Sequence, residues 1–260
     1  MPLPFTARSL DPDAAAFCAR SGASDVAAID AFVKGVKDLG LWDKMVCWPL
    51  RRQQNSGTDT AYSLGGLGTY DGTLTNGPTW TTDGIDTSPT NAYIEMPYNF
   101  LNGPNSVVGQ TGSMLAAFSN FATDFGVISN RGDSGNFWVL GTRDSDTQIY
   151  SVSNITGGAN QIVTKGSLNT NNLQFAGFHM DGVANVYRTR WNGTNATNVT
   201  VSGGTASSRT EFLIGMNNTG QTALKCAICI IVDGTVLSDA QHDAVESLYK
   251  QTLGTGLGLP

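Results

Sequence analysis

The sequence predicts an all-β jelly-roll sandwich with one helix near its start and a short helix near its end. Three observations carry this. Short apolar or alternating runs recur about every ten residues from Ala92 to Gly234, separated by Asp-Gly, Asn-Gly and Gly-Gly breakers. Charged residues are 14% of the chain, so its polar surface is mostly Thr, Ser, Asn and Gly, which suits sheets joined by tight turns. The 260 residues, 40% of them apolar, are enough to bury a large core.

Taken in order, residues 1–22 contain Pro2, Pro4 and Pro12 and read as irregular. "SDVAAIDAFVKGVKDLGLW" reads as a helix, with Ser24 as N-cap, Val26, Ile29, Val33 and Val36 at helical spacing, Phe32 widening the stripe, and Gly40 as the stop. "DKMVCWPLRRQQNSGTDTA" reads as a connector. Residues 1–60 are therefore assigned to an arm and helix, and 61–260 to the sandwich. In "AYSLGGLGTYDGTLTNGPTW" the glycines lack the Lys-Ser/Thr of a phosphate loop and do not lead from a strand into a helix. Asp71-Gly72 and Asn76-Gly77 are hairpin-type pairs, so the stretch opens the sandwich.

Strands come next at "AYIEMP", "SMLAAFSNF", "FGVISN", "NFWVLGTR", "TQIYSVS", "LQFAGFHMDG", "ANVYRTRWNG", "NVTVSG", "TEFLIG" and "ALKCAICIIVDG". The closing helix begins at Ser238, which forms the capping box S-x-x-Q with Gln241, and its expected buried stripe is Ala244, Val245 and Leu248.

The net charge of −6, with no basic run beyond Arg51-Arg52, argues against a grip on nucleic-acid phosphates. No apolar run has membrane-spanning length, and the N-terminus has no secretory leader pattern. Cys226 and Cys229 have C-x-x-C spacing, but a regular strand sends them to opposite faces, so they read as buried small hydrophobes.

Three segments, in order, resemble the concanavalin A-like (laminin-G-like) lectin and glucanase sandwiches: "YDGTLTNGPTWTTDGID…AYIEMP", "FAGFHMDGVANVYRTRWNGT" and "FLIGMNN…KCAICIIVDGTVLSDAQHDAVESLYKQTLG". The resemblance covers about residues 62–260 and implies a lectin-like jelly roll. Separately, "AIDAFVKGVKDLGLWDKMVCWPLRRQQNSGT" resembles segments of tailed-bacteriophage structural proteins that precede fibre, decoration or appendage domains. That resemblance implies a virion-surface protein, partnered by other virion proteins such as the major capsid protein and assembled as a homo-oligomer. Phe5, Phe17, Val26, Ile29, Phe32, Val33 and Val36 would then anchor it.

Hydrolases of the sandwich family carry paired glutamates in E-x-D-x-x-E, whereas Glu95, Glu211 and Glu246 stand isolated here. The lyase-type Q-x-H and Y-x-K strands are missing too. Of the two histidines, His242 is expected to be exposed on the last helix and His179 to lie near a strand end. The chain is therefore expected to be non-enzymatic and to need no cofactor, with a calcium site open to Asp83 with Asp86 or Asp144 with Asp146. "RGDS" from Arg131 reads as a turn. Trp138, Tyr150, Tyr187 and Trp191 are the candidate platforms for a host-surface glycan, the alternative to a purely structural role.

Overall fold

The computed structural model describes residues 9–55, 57, 59–98, 111–119, 126–129, 138–143, 148–153, 161–164, 172–181, 184, 186–191, 193–195, 199–200, 211–217, 220–221 and 223–260. Arg131–Ser134, Phe5, Asp144 and Asp146 lie outside them.

Two helices come first. Helix α1 (Pro12–Ser21) forms where an irregular arm was expected. Pro12 sits in its first turn, where a missing N–H costs nothing, and the Asp11 side chain caps it by accepting from Asp13 N at 3.0 Å. Gly22, at φ +67°, ends it. Helix α2 (Val26–Asp38) is the expected one; Asp25 rather than Ser24 holds its N-cap position, without a side-chain capping bond, and Gly40 follows it at φ +67°. No helix among the described residues is long and apolar enough to cross a membrane.

The strands are β1 (Met45–Pro49), β2 (Thr60–Ala61), β3 (Gly72–Thr75), β4 (Thr79–Trp80), β5 (Ile85–Asp86), β6 (Tyr93–Met96), β7 (Gly112–Ser119) and β8 (Gly126–Ser129). They continue with β9 (Trp138–Arg143), β10 (Gln148–Ser153), β11 (Gln161–Thr164), β12 (Gln174–Asp181), β13 (Val186–Trp191), β14 (Thr194–Asn195), β15 (Val199–Thr200) and β16 (Phe212–Ile214). The last are β17 (Met216–Asn217), β18 (Gly220–Gln221) and β19 (Lys225–Asp233), followed by helix α3 (Asp239–Gln251). One sheet runs β14-β13-β12-β7-β19-β5-β4, with β1 also on β19 and β15 on β13; the other runs β11-β10-β9-β8-β16-β6-β3-β2. The fold is an all-β sandwich, as the turn spacing predicts.

The first sheet is buried on both sides. Val46, Trp48, Met114, Ala116, Phe118, Phe178 and Ile231 face the second sheet. Met45, Cys47, Leu115, Ala117, Phe175, Ile228 and Ile230 face the helices. This explains why β7 and β19 read as continuous apolar runs.

It also explains the strand that the sequence hid. β1 was expected to be part of a connector, but all five of its residues are buried and it pairs with β19 from Met45↔Val232 to Pro49↔Ile228. Lying at an edge, it accommodates Pro49, which has no N–H to donate. Arg51, half of the lone basic pair, is buried: it donates to the carbonyls of Thr82 (2.7 Å), Leu253 (2.7 Å) and Thr255 (3.0 Å).

Two turn readings change. Asn76 (φ 58°) and Gly77 (φ 71°) form a left-handed turn, but it joins β3 in one sheet to β4 in the other, so it is a crossover. Asp71 is no turn residue; its carboxylate holds the 62–71 loop by accepting from Ser63 N at 2.8 Å and from Arg20. A bulge in β19 also corrects the cysteine geometry. Cys226 pairs with Phe118 and Ile228 with Ala117, so Ala227 is an inserted residue. Cys226 and Cys229 therefore share the inter-sheet face. Both are free and fully buried, and burial pushes the Cys226 thiol up to about 12 and Cys229 well above its ordinary value.

Candidate functional site

The polar centre of the described residues lies where α3 crosses β12 and β13. On β12, alternation sends Phe175, Gly177 and His179 to the helix side. On α3 the buried stripe is His242, Val245, Glu246 and Tyr249, while Ala244 and Leu248 are only half-buried. The helix is thus rotated from the orientation its apolar residues predict, and two ionisable side chains go inward. The capping box is present as expected: Ser238 Oγ accepts from Gln241 N (3.2 Å), and Gln241 Oε1 from Ser238 N (3.0 Å).

Two arginines set that rotation. Arg190 of β13 grips Asp243 with two parallel hydrogen bonds, Nε to Oδ1 at 2.8 Å and Nη2 to Oδ2 at 2.6 Å. Arg188 Nη1 meets Asp239 at 3.0 Å. Such forked charge-assisted pairs are the strong class of hydrogen bond. The Arg190 bond holds the Asp243 carboxyl below the usual carboxylate range.

Inside, a chain of hydrogen bonds fixes proton positions. Ser113 Oγ donates to Thr235 O (3.1 Å) and accepts from Leu237 N (2.9 Å). Its only proton being committed, it accepts from His179 Nδ1 at 2.9 Å. His179 is fully buried; desolvation, then His242, Arg188 and Arg190, hold it well below the usual histidine range and therefore neutral. Its Nε2 is then an acceptor and takes the Nδ1 proton of His242 at 3.0 Å. His242 Nε2, also buried, makes no hydrogen bond and faces Glu246 Oε2 at 3.6 Å. Glu246 Oε1 meets Lys250 Nζ at 2.7 Å. Burial raises the Glu246 carboxyl, but His242 and Lys250 outweigh it and leave it below its ordinary value.

The Glu246 end of this chain opens into a pocket of about 450 Å³ lined by Gly193, Asp243, Glu246, Ser247, Lys250 and Pro260. His242, Asp243 and Glu246 are the one cluster of three ligand-type side chains among the described residues, with ligand atoms within 4.8 Å of one another. Ser113 is no nucleophile: it is sealed, with its proton on a carbonyl.

The expected site residues fall elsewhere. Trp191 is a core residue, 7% exposed, its Nε1 donating to Gln174 Oε1 at 3.2 Å; it offers no platform. The strands place the backbones of Trp138, Tyr150 and Tyr187 on β9, β10 and β13, and their side chains lie outside the description. Asp83 is exposed, and Asp86 Oδ1 accepts from Ser88 N at 2.8 Å, a turn-holding role. Among the described residues, neither belongs to a cluster of three ligands. Ile29, Phe32, Val33 and Val36 are fully buried on the chain's own first sheet, Phe17 joins them, and Val26 is half-buried. His242 is buried, not exposed, and His179 sits within β12, paired to Ser113 of β7. Spacing held a signal for this site: His242, Val245, Glu246 and Tyr249 recur at i, i+3, i+4 and i+7.

No family model matches the chain, and no curated protein matches it. Solved structures do. A Trypanosoma rangeli sialidase in complex with 2,3-difluorosialic acid matches at 11% identity over 88% of this chain and 40% of that one, with a TM-score of 0.58. The binding domain of botulinum neurotoxin serotype D matches at 13% identity over 80% and 53%, with a TM-score of 0.55. Domain 4 of AbnA, an extracellular arabinanase from Geobacillus stearothermophilus in complex with arabinotriose, is 15% identical over 77% and 87%, with a TM-score of 0.46. The chain spans less than two thirds of the sialidase and toxin chains. At these identities the likeness is one of fold alone, a β-sandwich.

Proposed function

We propose that this chain is a non-catalytic carbohydrate-binding sandwich whose ligand sits in the pocket at α3. The observation that carries the reading is the lining of that pocket. Asp243 and Glu246 are hydroxyl acceptors pinned by Arg190 and Lys250, and Ser247 and Lys250 are donors beside them. Fixed donors and acceptors in a concavity of this size suit a sugar unit. Each carboxylate already has its own cation, Arg190 on Asp243 and Lys250 on Glu246, which favours a neutral sugar over a charged one.

The same charges support binding rather than hydrolysis at this pocket. Glycoside hydrolysis by a carboxyl pair needs one of the two held protonated. Asp243 and Glu246 are both depressed, so neither supplies the acid at neutral pH.

The test is a glycan array spanning neutral, amino and acidic sugars, followed by calorimetry with Ser247→Trp, which fills the pocket from an exposed position. Binding lost in that variant supports the reading; no binding to any glycan, or binding untouched by Ser247→Trp, overturns it. The virion setting rests on the resemblance of residues 28–58 alone. Mass spectrometry of purified particles, counting this chain against the major capsid protein, is its test, and absence from particles removes it.

A further inference from the structure

The hydrogen bonds that run outward from Ser113 end at a buried nitrogen with no hydrogen bond of its own. With the hydroxyl proton on Thr235 O, each ring in turn donates from Nδ1, and the series runs out at His242 Nε2. That nitrogen is buried, makes no hydrogen bond and faces a carboxylate oxygen, Glu246 Oε2. The 3.6 Å gap is too long for an N–H···O bond of ordinary length. It is close to the edge of a tetrahedron whose centre lies about 2.1 Å from each vertex, roughly 3.4 Å, the geometry of zinc with nitrogen and oxygen ligands.

We propose that His242 Nε2, Glu246 Oε2 and a carboxylate oxygen of Asp243 form a site for a divalent transition cation of the zinc class. The donor set of one imidazole and two carboxylates suits zinc and its neighbours better than calcium or magnesium, which take oxygen alone. His242 and Glu246 are one helical turn apart on α3, and Asp243 adjoins them; the three ligand atoms lie within 4.8 Å of one another. The supports around them are those a metal ligand needs. His179 fixes the His242 tautomer, Arg190 orients Asp243, and Lys250 holds the other oxygen of Glu246. Each carboxylate oxygen keeps a second lone pair for the ion. The neighbouring pocket supplies access and a fourth, water or ligand, position. The cations Arg190 and Lys250 weaken the site, so it is exchangeable rather than permanently filled.

The chain has two histidines, which makes the test direct. Chelator-treated protein is titrated with zinc sulfate and followed by long-range ¹H–¹⁵N imidazole NMR, with calorimetry alongside. We expect one zinc per chain, a large shift of the His242 Nε2 resonance with His179 little moved, and at least tenfold weaker binding in Glu246→Gln. An unmoved His242 resonance, or doubly protonated His242 indifferent to zinc, overturns the proposal. So does binding unchanged in a folded Glu246→Gln. If that variant does not fold, the resonance of the unaltered protein decides. The readout is zinc alone, so this proposal and the sugar reading stand or fall separately.

Discussion

His179 Nε2 lies 3.0 Å from His242 Nδ1, joining the middle of β12 to the first turn of α3 beneath the protein surface. The two rings meet edge to face, their centroids 5.1 Å apart, over a strand residue with no side chain. A Cβ on Gly177 would come within 2.5 Å of His242 Cε1 and 2.7 Å of its Nδ1. Gly177→Ala should therefore push α3 off the sheet and destabilise the fold by about 2 kcal/mol or more. Denaturant unfolding measures this, and a variant as stable as the parent would show that the rings do not pack over this strand.

Arg51 is the second polar anchor. Arg51→Met keeps the apolar stem but strips three carbonyls, on Thr82, Leu253 and Thr255, of their donor. A loss of about 3 kcal/mol is expected, with earlier release of the segment after α3 in hydrogen exchange. A change within about 0.5 kcal/mol would mean that water replaces the guanidinium at little cost.

Helix α1 should be the first element lost in acid. The Lys37 hydrogen bond holds the Asp11 carboxyl below its ordinary value, against the opposing effect of burial. A depressed carboxyl stabilises the fold above its unfolded pKa, and that contribution is lost as pH falls through the folded one. The window therefore lies below about pH 4. Amide exchange of α1 should accelerate there ahead of the sheets. Asp11→Ala should cost about 1 kcal/mol at neutral pH and abolish the acid-specific step.

The thiols should be silent. Burial raises Cys47, Cys226 and Cys229, and Cys18 is raised by partial burial with Asp25 and Asp30 nearby. Since the thiolate is the reactive form, a disulfide reagent at pH 8 should label slow Cys18 at most in the native protein, and all four after unfolding. Rapid native labelling of Cys226 or Cys229 would contradict the inter-sheet placement.

How far the sequence reaches is visible in particular residues. Turn spacing located most of the strands from β6 onward, though not β11 or the two-residue β14, β17 and β18, because hydrophobic runs bounded by Gly, Asn and Asp need no tertiary information. β1 escaped because a strand buried on both faces has no alternation, and its pairing with β19 is remote in sequence. The bulge at Ala227 escaped because one inserted residue leaves no local trace while reversing the facing of the residues after it. At the site, apolar residues alone placed Val245 correctly on the buried stripe of α3 but missed His242, Glu246 and Tyr249. Arg188 and Arg190 turn the helix, and nothing in its own sequence shows which aspartates they will hold.

The pairing of β1 with β19 also orders events in time. Residues 45–49 leave the ribosome roughly 180 positions ahead of the strand they bond. Until that strand is made, Val46 and Trp48, which become inner lining, have no sheet to complete. The nascent chain must hold a sticky, unfinished layer through most of its synthesis, and closing so long a loop is slow. Stalled or truncated products should therefore be the form in which this protein most needs a chaperone.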